Sequence, residues 1–87
     1  MGQIGAEVDQ LTALKATFDR QAANVAELVN TIDGQLGSTY WVGPAAERFK
    51  GQWQGDFKRM LANLQSALTE SGMEVARRRD ALINSQS

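Results

Sequence analysis

Apolar residues recur along the first third of the chain with a period of seven. Ile4, Leu11, Phe18, Val25 and Ile32 mark the repeat, Leu14 and Leu28 lie three residues after two of them, and Val8, Ala22, Val29 and Leu36 lie four after others. Steps of three, four and seven place side chains on one side of an α-helix. The pattern predicts a helix over about 5–36. Gly34 and Gly37 weaken its end, and Gly37 is expected at C′ in the left-handed conformation. A second stripe, Ala46, Phe49, Trp53, Phe57, Met60, Leu61, Leu64 and Leu68, also advances by threes and fours. It predicts a helix from about 44, firm to about 70. The stripe lapses at Ser71-Gly72 and resumes weakly with Val75, Leu82 and Ile83, so a frayed or conditional helix is expected to about 83 and a loose tail over 84–87. Gly51 and Gly55 are interior to this arm, and each costs about 1 kcal/mol of helix propensity relative to Ala.

The two arms meet at residues 37–43, and Pro44 follows. Proline suits the first helical position because its missing N–H has no partner there in any case, which makes Gly43 the N-cap or its neighbour. One interruption between two long amphipathic helices gives a helical hairpin, a single domain over 1–87. A chain of 87 residues is short for a self-sufficient core. A hairpin of this size cannot enclose both stripes, so a partner is expected, and dimerisation is the expected source of stability.

Composition narrows the chemistry. The chain has no Cys and no His, which excludes disulfides, thiolate chemistry and the commonest general base and metal ligand. No metal, cofactor or catalytic residue is expected, and no enzymatic activity. The net charge of −1 offers no case for nucleic acid. It is unevenly spread: residues 1–37 carry five acids and two bases, and residues 44–87 carry five acids and seven bases. Opposite signs on the two arms favour antiparallel pairing, although exposed pairs contribute only about 0–1 kcal/mol each. No apolar run approaches the length of a membrane span, and MGQIGAEVDQ lacks the basic start and apolar stretch of a cleavable signal peptide. Met1-Gly2 opens like a myristoylation site, but the sixth residue is Ala6 rather than Ser or Thr.

Some constellations have a plain reading and a functional one. Trp41 is either an anchor packed on the ends of both helices or part of a recognition surface, and one ring can be both. Phe49, Trp53 and Phe57, four apart, form an apolar ridge that a single hairpin covers only in part. Glu70 and Glu74 read as a solvated face rather than a paired-carboxylate site. Arg77-Arg78-Arg79 either complements the helix dipole or contacts an acidic partner.

Trp41-Val42-Gly43 at mid-chain, with Ala46, Phe49 and Trp53 behind it, resembles the WXG-motif family, the early-secreted-antigen-like proteins exported by bacterial type VII secretion systems. The resemblance covers essentially the whole chain. It implies an all-α helix-turn-helix hairpin that pairs as an antiparallel dimer into a four-helix bundle. It further implies a non-enzymatic protein exported folded, without a cleavable signal peptide, as a homodimer or as a heterodimer with a related WXG-motif protein. In that family, Trp41 and Gly43 would be the turn motif. Leu11, Phe18, Val25, Ile32, Phe49, Trp53, Phe57, Leu61 and Leu64 would form core and dimer interface. Export in the family is associated with a tail motif of Tyr, three residues, then Asp or Glu, read by a membrane ATPase. Here Asp80 supplies the acid but position 76 is Ala76. Either the chain travels with a signal-bearing relative, or Val75, Asp80, Leu82 and Ile83 form a variant tail. A cytoplasmic coiled-coil adaptor with no export role fits the same stripes, and a membrane-active hairpin ranks behind both.

Overall fold

In the computed structural model, residues 2–85 are described, with side-chain surroundings from Ile4 onward; Met1, Gln86 and Ser87 lie outside the described residues. The chain folds as a long helical hairpin. Helix α1 spans Gly2–Ser38. The second arm runs as α2, Pro44–Gln52, a π turn, Trp53–Phe57, and α3, Lys58–Asn84. There is no strand among the described residues. The body measures 65 × 18 × 13 Å with a radius of gyration of 19.4 Å, whereas a compact globule of this length would have about 12 Å. It is a rod two helices wide.

The helices pack along a seam set by the seven-residue repeat. On α1 the half-buried Ile4, Leu11, Phe18 and Val25 alternate with Val8, Ala22, Val29 and Leu36, of which Ala22 is buried. Opposite them, Ala46 and Trp53 are buried and Leu61, Leu68, Val75 and Leu82 half-buried. The second stripe therefore divides in two. Phe49, Phe57 and Leu64 are exposed, as is Ile32 on α1, and they lie beside the seam rather than in it.

Three expectations need correction. Gly37 does not end α1 in the left-handed conformation, because Gly43 is the one residue with positive φ among those described. The helix runs to Ser38, and its end is held by hydroxyls: Ser38 Oγ and Thr39 Oγ1 both donate to the Gln35 carbonyl, at 3.1 and 2.6 Å. The helix is also unbroken at Ser71-Gly72, and α3 continues to Asn84. Gly72 is buried at a close approach of the two arms: a Cβ there would lie 3.3 Å from Phe18 Cβ and 3.1 Å from Asp19 Oδ1. The stripe lapses because backbone, not side chain, makes the contact. Finally, the second arm is not one regular α-helix, since the π turn interrupts it at Trp53–Phe57.

Candidate functional site

The bend brings the turn motif against the second arm. Gly43 has φ 110° and ψ 173°, a backbone open to glycine and strained for other residues. Pro44 at the first helical position then starts α2, and Glu47 N–H donates to the Gly43 carbonyl at 3.0 Å to close its first turn. Lys50 Nζ reaches back to the Trp41 carbonyl at 3.0 Å. The Trp41 ring packs on Phe49 with centroids 5.6 Å apart, and Phe49 on Phe57 at 6.4 Å, within the range of favourable tilted aromatic pairs. Trp41 nevertheless stays 40% exposed, and Tyr40 and Val42 beside it are more so. Anchor and exposed surface thus coexist in one ring.

A polar clamp lies behind this ridge. The Trp53 Nε1–H donates to Asp33 Oδ1 at 2.6 Å, and Lys58 Nζ donates to Asp33 Oδ2 at 2.8 Å. Lys58, and then the Trp53 N–H, hold the Asp33 carboxyl below its ordinary value of 3.8 against a smaller opposing effect of desolvation. A carboxyl lowered on folding stabilises the fold fully above its unfolded value and loses that contribution as pH falls through the lower folded value. Asp33→Asn is therefore expected to reduce the melting temperature at about pH 5–7, with the gap to the parent closing below the unfolded carboxyl value. Melting curves across that range check this; a gap that persists undiminished in strong acid would mean that charge plays no part.

The tail end is charged but internally paired. Glu74 accepts from Arg77 at 2.6 Å and lies 3.4 Å from Arg78, and Arg79 pairs with Asp80. Arg77, and to a lesser degree Arg78, hold the Glu74 carboxyl below its ordinary range. Of the tail residues, Val75 and Leu82 sit on the seam, whereas Asp80 and Ile83 are exposed.

One long face carries most of the uncovered apolar surface. Beside the α1 seam runs the line Leu14, Gln21, Leu28 and Gln35, and beyond it Gln10, Thr17, Asn24 and Thr31; neither line bears a charge. Beside the α3 seam run Phe57, Leu64 and Ser71, with Met60 and Ala67 beyond. Charge returns toward the open end of this face, where Glu74 continues the line of Met60 and Ala67 and where Glu7 and Arg78 line a groove of about 480 Å³ with Leu11 and Leu82. No helix among the described residues is long and apolar enough to cross a membrane.

The functional residues that a count of steps misses are Asp33 and Gly72. Nothing local marks Asp33, whose partners lie 20 and 25 residues away across the turn. Gly72 is marked by the lapse itself.

A family model described as proteins of 100 residues with WXG matches residues 3–82. No curated protein and no solved structure matches the chain.

Proposed function

The chain belongs to the WXG100 family, and on that premise we propose that it is exported by a type VII secretion system as one half of an antiparallel four-helix bundle. The family is associated with type VII export, and its members typically pair with related WXG proteins. The observation that carries the reading is the uncharged apolar face. Among the described residues the buried core is only Ala22, Ala46 and Trp53, while Leu14, Leu28, Phe49, Phe57, Met60 and Leu64 remain exposed on one side. A second hairpin laid on that face would complete a core that one hairpin lacks. The chain works through its surfaces and catalyses nothing. Trp41 and Gly43 shape the end presented to the membrane ATPase of the secretion machine.

Ala76 stands where the family's tail signal has Tyr, which favours the role of a co-secreted partner over that of a self-sufficient substrate. Val75, Asp80, Leu82 and Ile83 as a variant tail is the second form of the same reading. Removing the tail wholesale would also strip Val75 and Leu82 from the seam, so point substitutions are the cleaner test. In the native host, Trp41→Ala is expected to lower the exported fraction about tenfold, the loss of one moderate contact residue, with the cell-associated protein still helical. Asp80→Asn separates the two forms: unchanged export assigns the signal to the partner. A parent protein found only in the cytosol of a strain with an active system would favour the adaptor and end the export reading.

A further inference from the structure

The seam of the second arm is out of step with itself. It advances by seven residues from Ala46 to Trp53, by eight from Trp53 to Leu61, and by seven again to Leu68, Val75 and Leu82. Seven residues of α-helix return to within about 20° of the starting direction, whereas eight overshoot by about 80°. The π turn at Trp53–Phe57 lies inside the long step, and an i→i+5 turn takes up one extra residue in an α-helix. Two contacts depend on it. Phe49 and Phe57 are eight apart, yet their rings meet at 6.4 Å. Trp53 and Lys58 are five apart, about 140° on a regular α-helix, yet both bond the carboxylate of Asp33. These two residues bracket the π turn, one at its first position and one just after its last. A Cβ on Gly51 or Gly55 would meet nothing within 4 Å. Packing does not account for the two glycines, but their low helix propensity suits a segment that departs from the α-helix.

We propose that the π turn is a phase corrector that keeps Trp41, Phe49 and Phe57 on the same face as Leu64, and that Asp33 is the positioning residue that clamps it from α1. The turn absorbs the surplus residue, so the aromatic ridge continues the apolar face instead of rotating off it. This goes beyond the export reading and does not depend on it.

The test uses the full chain with one residue removed or added. Deleting Gly55 turns the eight-residue step into seven, so the arm is expected to close as continuous α-helix with the seam in phase. Helicity should be kept, and the melting temperature should stay within about 8 °C of the parent, the shift of a mild substitution in a domain of this size. Inserting one Ala after Gly55 makes the step nine, one residue more than the turn absorbs and about 100° out of phase, and is expected to lower the melting temperature by more than about 15 °C. Equal collapse of the two variants would overturn the proposal, because on a plain α-helix deletion and insertion are both out of phase. For Asp33, hydrogen exchange of Asp33→Ala is the readout. Amides 54–58 are expected to exchange about tenfold faster relative to those of 68–75, as local opening of that turn requires. Equal acceleration along the whole arm would reduce Asp33 to a general stabiliser and overturn its positioning role.

Discussion

Trp53→Ala is expected to cost about 3–5 kcal/mol of folding free energy, the largest loss from any single truncation in the chain. The ring is 5% exposed and is the one large side chain in the buried core of the described residues, beside Ala22 and Ala46. Its removal leaves a void between α1 and the π turn that two alanines cannot fill. It also takes the Nε1–H away from Asp33, which then has only Lys58. Small domains have about 5–15 kcal/mol in total, so the variant should sit near the edge of folding. Urea unfolding at fixed protein concentration measures this, because association and folding are linked. Trp53→Phe separates the two contributions. It keeps most of the ring and gives up the hydrogen bond, so a loss of about 1–2 kcal/mol is expected from it. A loss below about 1.5 kcal/mol for Trp53→Ala would place the ring at the rim of the core rather than in it.

The same residue shows where the sequence is legible and where it is not. The strict repeat from Ile4 to Ile32 predicts α1, because a long regular helix stamps its period on every turn. Pro44 predicts the start of the second arm, because proline loses nothing at the first helical position, whereas the positive φ of Gly43 shows only in the structure. The family resemblance rests on Trp41, Gly43 and the residues just after them, and the family model over residues 3–82 bears it out. The π turn was not legible, because the eight-residue step from Trp53 to Leu61 shows only once burial assigns Leu61 to the seam. Steps of three and four hide it, since Met60 and Leu61 together satisfy either phase. Gly72 read as a break because hydrophobic patterning records side chains and is blind to a backbone that itself packs on the opposite helix, here against Phe18 and Asp19. Gly37 read as a cap because glycine usually is one there, but Ser38 and Thr39 supplied the polar partner first. Asp33 read as one acid among five on its arm. Its role needs the hairpin closed before Trp53 and Lys58 are near it, and local pattern carries no information on that.

Leu28→Asp combined with Leu64→Asp is expected to raise the dissociation constant of the proposed pair about 100-fold or more, the effect of losing contacts at the centre of an interface. The two residues are exposed on the hairpin alone, at 45% and 46%, and they stand on the uncharged face. In an isolated hairpin such surface changes move stability by only about 0.5 kcal/mol. Under a second hairpin they would place two carboxylates in an apolar interface with no partner, which is far more costly. The available area supports a partner of that size. The chain exposes 6307 Å², against about 5,000 Å² for a compact monomer of its mass. The excess exceeds the roughly 800 Å² that each partner contributes to a stable interface. Ala23→Asp, on an exposed position of α1 away from this face, is the control and should leave association unchanged. Sedimentation of the chain alone, and of the chain with a related partner, distinguishes self-pairing from hetero-pairing. Circular dichroism on the same samples separates dissociation from unfolding. A double variant that pairs as tightly as the parent would mean that the covering surface lies elsewhere, on the flank around Ala26, Val29 and Ala62.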